Sequence, residues 1–146
     1  MGDINLFLGQ FNHTIDAKGR LIIPSKYREE LGENFIISKG YDECLYALDM
    51  DSFEEQFEKI KALPQSLKET RRLKRFYFDA VEAEYDKQGR VLIPANLRAF
   101  AGLEKDVVLL GVGDKVEIWS AEKLESMDTL NIEDDAEALA KMGYDI

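Results

Sequence analysis

The sequence has few of the residues that build enzyme and metal centres. Its 146 residues include one cysteine and one histidine. A lone thiol forms neither an internal disulfide nor a cysteine metal cluster, and Cys44 lies in an apolar run, so we expect it to be buried. His13 has no second histidine to work with, and we expect a structural role or modest participation in binding. With no P-loop, zinc spacing or Gly-x-Ser-x-Gly, we predict no enzymatic activity, no metal and no cofactor.

Long apolar segments are also missing. No apolar run approaches the length of a membrane span, and no charged and hydrophobic leader opens the chain, so we expect a cytoplasmic protein without membrane contact. Residues 1 to 5 are expected to be a loose end. Apolar residues make up 45% of the chain, which is ample for the core of one domain or of two small units packed as one.

Basic residues are in the minority but are clustered. The chain has 19 Lys and Arg against 29 Asp and Glu, for a net charge of −10. Bases outnumber acids four to one in residues 16–28, five to one in residues 68–75 and three to one in residues 86–98. Coulomb effects between exposed charges fade beyond about 10 Å at ordinary salt. An acidic body with basic local sites is therefore compatible with binding an anionic polymer.

An internal repeat organises the chain. Residues 16–28 read Asp-Ala-Lys-Gly-Arg-Leu-Ile-Ile-Pro-Ser-Lys-Tyr-Arg, and residues 86–98 read Asp-Lys-Gln-Gly-Arg-Val-Leu-Ile-Pro-Ala-Asn-Leu-Arg, with six of thirteen positions identical. Asp-x-x-Gly is a tight-turn sequence, because aspartate bonds the backbone two residues on and glycine accepts a positive φ. The apolar run after it is typical of a buried strand, and the proline suits the start of a helix. Each copy predicts strand, tight turn, strand and short helix.

Further strands are predicted on either side of each copy. A strand from Leu6, broken or bulged at Gly9, leads into the first copy, and an alternating strand from Val81 leads into the second. A second hairpin with a glycine-containing turn follows each copy. Its strands are predicted at residues 35–38 and 44–48 in the first half, and at residues 107–110 and 116–119 in the second.

Helices are predicted between and after the two copies. Residues 53–60 carry an apolar stripe, and a capping-box sequence beginning at Ser66 opens a second helix. The basic run at residues 68–75 is more typical of a solvated helix face or a subunit contact than of a nucleic-acid contact. In the tail, Ser120 is a candidate N-cap, and the acidic composition past residue 128 predicts a second short helix or partial disorder.

These elements predict an α+β fold that is mostly β, with packing helices. A unit of four strands and one small helix has little core of its own and leaves sheet edges open. Because two such units can close each other's edges, we predict a pseudo-twofold, mostly antiparallel barrel made from both halves. The predicted parts are a first repeat at residues 6–50, linking helices at residues 51–78, a second repeat at residues 79–122 and an acidic tail at residues 123–146.

The doubled motif resembles the MraZ family of bacterial transcriptional regulators, which are built from two AbrB-like (SpoVT-AbrB) swapped-hairpin units. The resemblance covers about residues 6–125, and it includes Phe-Leu-Gly at residues 7–9 and Glu-Thr-Arg-Arg at residues 69–72. It implies sequence-specific binding of double-stranded DNA at short direct repeats in the promoter of the division and cell-wall gene cluster, usually with repression. It also implies a homo-oligomeric ring and association with the nucleoid.

The resemblance also implies which residues contact DNA. Arg20 and Arg90 are the expected contacts to a base edge or phosphate, since arginine pairs bidentately with guanine. Lys18 is the expected phosphate contact beside Arg20, and Lys87 is its counterpart in the second tip, one position earlier. The residues expected to shape the two turns are Asp16, Gly19, Asp86 and Gly89. Because the first tip is the more basic, we expect it to dominate DNA contact.

The sequence leaves open the roles of Arg28 and Arg98 and one alternative function. Arg28 and Arg98 lie on the short predicted helices, where salt bridges or subunit contacts are the favoured roles. The alternative function is an oligomeric interaction or scaffold module without direct DNA binding. In that case the barrel and acidic tail bind a protein partner, and the basic tips pair with acids on neighbouring subunits.

Overall fold

The computed structural model describes residues 6–127 and 131–146. Its elements follow the same order in the two halves of the chain. The strands are β1 (Phe7–Thr14), β2 (Arg20–Ile22), β3 (Asn34–Lys39), β4 (Leu45–Asp49), β5 (Val81–Glu84), β6 (Arg90–Leu92), β7 (Asp106–Gly113) and β8 (Val116–Ser120). The helices are α1 (Ser25–Leu31), α2 (Met50–Lys61), α3 (Lys68–Tyr77), α4 (Ala95–Ala101), α5 (Ala121–Ser126) and α6 (Ile132–Lys141), and a 3₁₀ turn occupies Tyr41–Glu43.

The two short helices of the repeat begin directly after the prolines, as the sequence predicts. Pro24 and Pro94 are the N-cap residues of α1 and α4. Proline suits a helix start because its fixed φ is compatible with the entry and its missing N–H would be unpaired there in any case. Gly32 and Gly102 follow the last helical residues with positive φ. The prolines stand at the cap rather than at the first helical position.

The two halves interlock in a six-stranded antiparallel sheet with the order β1-β7-β8-β4-β3-β5. β1 of the first half pairs with β7 of the second, and β5 of the second half pairs with β3 of the first. The hairpin β3–β4 of the first half meets the hairpin β7–β8 of the second half at the centre of the sheet, where β4 pairs with β8. Each half therefore completes the sheet of the other, and the predicted α+β fold of two swapped-hairpin repeats is confirmed. Closure of this sheet into a barrel stays a prediction.

β1 is continuous, so the predicted break or bulge at Gly9 is wrong. β1 keeps one register with β7 over its whole length although Gly9 has φ +95°. Gly9 lies opposite Gly111, where a Cβ atom would lie 2.5 Å from the backbone nitrogen of Leu8. The missing Cβ of Gly111 therefore lets the two strands pass closely without an inserted residue. The Tyr27 hydroxyl then donates to the Gly9 carbonyl at 2.6 Å.

The sheet carries apolar residues on both faces. Successive side chains of a strand point to opposite faces, and in β4 Leu45 and Ala47 join the main core while Tyr46 and Leu48 join a second cluster with Trp119. The main core takes matching residues from both halves, so it belongs to neither half alone. The matching pairs are Leu21 and Val91, Ile23 and Ile93, Tyr27 and Leu97, and Leu31 and Ala101.

α2 is attached through the apolar stripe that the sequence predicts. The Asp49 side chain caps the helix by accepting from the Ser52 N–H at 3.2 Å. Phe53 and Phe57 both contact Phe78, each with ring centroids 5.7 Å apart. Aromatic pairs of this edge-to-face kind add to the stabilisation that burial gives. An aromatic cluster therefore joins α2 to the residue that follows α3 within the linking segment.

α3 does not begin with the predicted capping box. Its N-cap is Leu67, without a side-chain capping bond, because the first helical hydrogen bond runs from the Arg71 N–H to the Leu67 carbonyl at 3.2 Å. The Ser66 carbonyl instead accepts from Arg71 Nη1 at 2.7 Å. The prediction that Ser66 caps this helix is therefore wrong by one residue.

The tail begins with the predicted cap. The Ser120 hydroxyl accepts from the Lys123 N–H at 3.3 Å at the start of α5. The second short helix predicted for the tail is present as α6, and its side chains are almost all exposed. Residues 128 to 130 of that tail, and the loose end predicted for residues 1 to 5, lie outside the described residues.

Candidate nucleic-acid interface

One carboxylate organises the first tip. Asp16 Oδ1 accepts from the backbone N–H groups of Lys18 at 3.0 Å and Arg20 at 2.8 Å. Asp16 Oδ2 accepts from Arg20 Nε at 2.7 Å. Gly19, with φ +85°, donates its N–H to the Asp16 carbonyl at 2.9 Å. The Asp-x-x-Gly-Arg sequence thus folds into a turn that holds its own arginine by the Nε atom.

The second tip repeats this geometry with one change. Asp86 Oδ1 accepts from the N–H groups of Gln88 and Arg90, both at 2.9 Å, and Asp86 Oδ2 accepts from Arg90 Nε at 2.8 Å. Gly89 has φ +78° and donates to the Asp86 carbonyl at 3.0 Å. Gln88 stands where the first tip has a lysine, and its side-chain oxygen accepts from Arg90 Nη2 at 3.2 Å.

Both turn aspartates are held in their ionised form. The backbone N–H of Arg20 is the main cause that lowers the pKa of Asp16 below its ordinary value of 3.8; partial desolvation opposes it, and the Arg20 side chain adds to it. The backbone N–H and side chain of Arg90 lower the pKa of Asp86 in the same way. Hydrogen bonds to a carboxylate favour its charged form. Each tip therefore balances one negative charge against its arginine, and the neighbouring lysine leaves a positive excess.

A two-stranded antiparallel ribbon joins the tips. β2 pairs with β6 so that Arg20 lies opposite Leu92 and Ile22 lies opposite Arg90. The two strands belong to different halves of the chain, so residues that are far apart in sequence become neighbours. The two motifs therefore form one surface, which we call the tip ribbon: residues 16–22 and 86–92.

Backbone hydrogen bonds continue the tip ribbon past its strands. The Ile23 N–H donates to the Gly89 carbonyl at 3.1 Å, and the Ile93 N–H donates to the Gly19 carbonyl at 2.8 Å. Each turn glycine is thus bonded to the opposite half of the chain. Because buried backbone groups require such partners, each tip depends on the other half of the chain for one of these bonds.

Arg28 and Arg98 pack against the turn glycines of the two tips. A Cβ at Gly19 would lie 2.8 Å from Arg98 Nε, and a Cβ at Gly89 would overlap the Arg28 guanidinium. Arg98 Nε also donates to the Ile93 carbonyl at 2.9 Å. Within the described residues neither arginine forms an ion pair, so the expected salt bridges are not found there. Each side chain crosses to the other half of the chain and covers that half's turn glycine instead.

The outer face of the tip ribbon contains aliphatic residues that sequence reasoning missed. Leu21 and Val91 are buried, whereas Ile22 is 42% exposed and Leu92 is 58% exposed. The sequence predicts buried strands after each tip arginine, and this prediction is wrong for Ile22 and Leu92. The sequence signal for such exposed positions is the period-two alternation of a strand. A strand of three residues is too short to show that alternation, so the sequence does not indicate which side faces the core.

The two tip arginines differ in their free hydrogen-bonding capacity. Within residues 6–127 and 131–146, the Arg20 side chain bonds only Asp16, through Nε. Arg90 also bonds Gln88, and its Nη1 lies 3.8 Å from Asp16 Oδ2. Lys18 and Lys87 are exposed beside them. The first tip thus has the freer guanidinium, while contact of any of these residues with DNA stays a prediction.

The remaining candidate residues lie away from the tip ribbon. Cys44 is buried as expected, and burial raises the pKa of its thiol to about 12, with Glu117 and Asp42 adding to the effect. His13 is partly buried in β1 opposite Val107. The described part of the chain contains no group of three or more His, Cys, Asp or Glu placed to hold a metal ion. None of its helices is long and apolar enough to cross a membrane.

The basic run on α3 forms an exposed surface of its own. Its five basic residues are exposed, and the buried residues of the helix are Thr70 and Tyr77. Arg71 bonds backbone carbonyls of the preceding loop, and Lys74 Nζ donates to Gln65 Oε1 at 3.0 Å. The expected solvated face is therefore observed, and its roles toward subunits or nucleic acid both stay open.

The fold and the tip ribbon together define a duplicated swapped-hairpin protein whose two basic turns share one surface. A family model described as "MraZ protein, putative antitoxin-like" matches the chain twice, at residues 6–76 and 76–141. The chain belongs to the MraZ family, a family of transcriptional regulators rather than enzymes. The resemblance seen in the doubled motif is thereby confirmed, as is the prediction that the chain is not an enzyme.

Individual relatives support the same assignment over nearly the whole chain. The transcriptional regulator MraZ of Acetivibrio thermocellus is 48% identical over 142 residues, which cover 94% of this chain and 99% of the relative. That of Clostridium tetani is 48% identical over 141 residues, with the same coverage. That of Thermoanaerobacter sp. is 53% identical over 118 residues, covering 80% of this chain and 82% of the relative. The unit boundaries predicted from the sequence stay a prediction.

Proposed function

We propose that this transcriptional regulator binds double-stranded DNA sequence-specifically, with the tip ribbon as its contact surface. The observation that supports this most is that two Asp-x-x-Gly-Arg turns from different halves of the chain present their arginines along one antiparallel ribbon. The major groove of B-DNA is wide enough for a two-stranded β-ribbon, and arginine bonds guanine O6 and N7 there.

In this proposal the residues of the tips have separate roles. Arg20 and Arg90 bond base edges or phosphates, and Lys18 and Lys87 bond phosphates. The aspartate that holds each arginine by Nε reduces the side-chain freedom lost on binding. The Nη groups of Arg20 remain donors for DNA, whereas Nη2 of Arg90 also donates to Gln88 Oε1. The aspartates themselves shape the turns and do not contact DNA, because their charge repels phosphate. The first tip contributes more, since Arg20 has fewer internal partners.

The target that we propose is a set of short direct repeats in the promoter of the division and cell-wall gene cluster, with repression as the outcome, in the cytoplasm at the nucleoid. We also propose a homo-oligomer, specifically a ring. β1 is an edge strand of the described sheet. Three apolar residues in or next to this edge are exposed, namely Leu6 (52%), Leu8 (51%) and Val112 (43%), and they give a neighbouring subunit an apolar surface to contact. A ring sets several tip ribbons side by side, so that avidity strengthens weak single contacts on repeated sites.

The test is footprinting on the DNA upstream of the chain's own gene. The proteins compared are wild type, Arg20→Ala, Arg90→Ala and, as a control with the same change of charge, Lys59→Ala on the exposed side of α2. We expect regularly spaced protected repeats with wild type and Lys59→Ala, and weaker protection with both tip variants, the larger loss being that of Arg20→Ala. The logarithm of the affinity should fall with the logarithm of salt by about 0.9 per phosphate contact.

Other outcomes contradict the proposal in different ways. Unchanged affinity of both arginine variants would remove the tip ribbon as the DNA-binding site. Failure of wild type to retard any DNA at low salt, together with a copurifying protein partner, would favour the scaffold function instead. Size-exclusion chromatography with light scattering tests the oligomer, and a monomer at all concentrations would contradict the ring.

A further inference from the structure

The outer face of the tip ribbon is more apolar than contact by arginine alone requires. When one face of an antiparallel ribbon is buried, the other is usually polar. Ile22 and Leu92 occupy outward positions, and they are 42% and 58% exposed. They are also matching positions of the repeat, 70 residues apart. The same departure from the usual pattern in both halves indicates a shared role at the surface.

Each of these aliphatic residues lies directly across the ribbon from a tip arginine. Leu92 is opposite Arg20, and Ile22 is opposite Arg90. The Cβ atoms of directly opposed residues are about 5 Å apart, and successive base pairs are about 3.4 Å apart along DNA. An arginine that contacts a base therefore brings its aliphatic neighbour within one or two base pairs of it.

The major groove offers one apolar group that such a side chain can contact, the C5 methyl of thymine. We propose that Ile22 and Leu92 contact thymine methyl groups and so help to determine the sequence that the tip ribbon binds. This inference depends on the proposed DNA binding by the same ribbon and specifies what it reads. Each half of the ribbon face then pairs a donor for guanine with an apolar contact for thymine.

A second account of the same geometry is purely supportive. The aliphatic stem of an arginine packs well along an apolar neighbour, so Ile22 and Leu92 could serve only to hold Arg90 and Arg20. That role is independent of whether a nearby base carries a methyl group. The two accounts therefore differ in a property that can be changed in the DNA alone.

The experiment uses the full chain and a duplex that contains the protected repeats. The thymines of one repeat are replaced one at a time by deoxyuridine, which removes only the methyl group. Dissociation constants are measured by fluorescence anisotropy for wild type, Ile22→Ala, Leu92→Ala and, as a control, Leu139→Ala, an exposed leucine on α6. At the contacted positions, uracil should raise the Kd of wild type about fourfold for each methyl group lost. The matching alanine variant should bind thymine and uracil duplexes there equally, and the control should behave as wild type.

The contrary outcomes are distinct. Equal binding of wild type to every thymine and uracil duplex overturns the methyl contact while leaving DNA binding by the ribbon intact. If an alanine variant loses the same amount of affinity for thymine and uracil duplexes, the residue only supports its arginine. That result also overturns the methyl contact. If wild type binds no duplex, the proposed function fails and this inference falls with it. The wild-type comparison requires no substitution, so a variant that does not fold leaves the test decisive.

Discussion

Arg90 Nη1 of the second tip lies 3.8 Å from Asp16 Oδ2 of the first tip, in addition to its own bond with Asp86. Asp16 therefore faces two guanidinium groups, whereas Asp86 faces only that of Arg90 within the described residues. The two turns have nearly the same sequence, yet the electrostatic connection between them is one-sided. The first aspartate links the tips, and the second only shapes its own.

The first prediction compares the two turn aspartates. Asp16→Ala and Asp86→Ala should both lower the melting temperature, because each removes three hydrogen bonds from its turn. The loss should be larger for Asp16→Ala, since Arg90 also loses a neighbouring charge. Thermal unfolding followed by circular dichroism measures the difference, which should shrink in about 1 M salt, where the Debye length is about 3 Å. Equal losses at low salt would show that the contact between the tips contributes nothing.

The pH dependence of stability gives the second prediction. The folded pKa of both turn aspartates lies below the ordinary value of 3.8. Folding therefore favours their ionised forms, and this contribution is complete above the unfolded pKa and disappears as pH falls through the folded pKa. The difference in unfolding free energy between wild type and an Asp16→Asn, Asp86→Asn variant should be largest near neutral pH and should decline below about pH 4. Asp145→Asn, at the exposed C-terminal end, is the control, and a difference that grows on acidification would contradict the assignment.

Much of this fold follows from local rules that act within a few residues. Asp-x-x-Gly, the apolar run and the proline predict the turn, the strand and the start of α1 and α4, because each depends on backbone preferences of single residues. The same holds for the Ser120 cap. Pairing between the halves was predicted from the open edges that a single unit would leave. These predictions were possible because the same motif occurs twice in the chain, at residues 16–28 and 86–98.

The parts that were missed depend on contacts between distant segments. The position of Arg28 over Gly89 requires the swap of the two halves, and nothing near either residue in sequence indicates it. The exposure of Ile22 depends on which side of a three-residue strand meets the core. The prediction at Gly9 is wrong because a glycine within a strand pattern usually marks a bulge, whereas β1 keeps its register opposite Gly111, whose missing Cβ makes room for the backbone of Phe7 and Leu8.

The third prediction separates backbone strain from steric overlap at the turn glycines. Gly19 and Gly32 have nearly the same φ, +85° and +84°, but a Cβ at Gly19 meets Arg98 while a Cβ at Gly32 meets nothing within 4 Å. Gly32→Ala should cost about 1–3 kcal/mol of stability, because φ +84° with ψ −178° is a backbone conformation that essentially only glycine adopts. Gly19→Ala should cost more, because Arg98 must also move. Urea unfolding measures both, and equal costs would show that the arginine moves freely.

The last prediction uses two buried tyrosine hydroxyls in opposite situations. The Tyr27 hydroxyl donates to the Gly9 carbonyl at 2.6 Å, whereas the Tyr85 hydroxyl is buried without a hydrogen-bond partner among the described residues. Burial raises the pKa of Tyr85 to about 12, with Arg28 opposing it, so the hydroxyl keeps its proton at neutral pH. Tyr27→Phe should cost about 1 kcal/mol, because it removes the hydrogen bond that the hydroxyl donates to the Gly9 carbonyl. Tyr85→Phe should be neutral or stabilising, since it removes a polar group that pays its desolvation cost without a bond. Urea unfolding of the two variants decides this, and a loss of stability in Tyr85→Phe as large as that in Tyr27→Phe would mean that Tyr85 has a partner in solution.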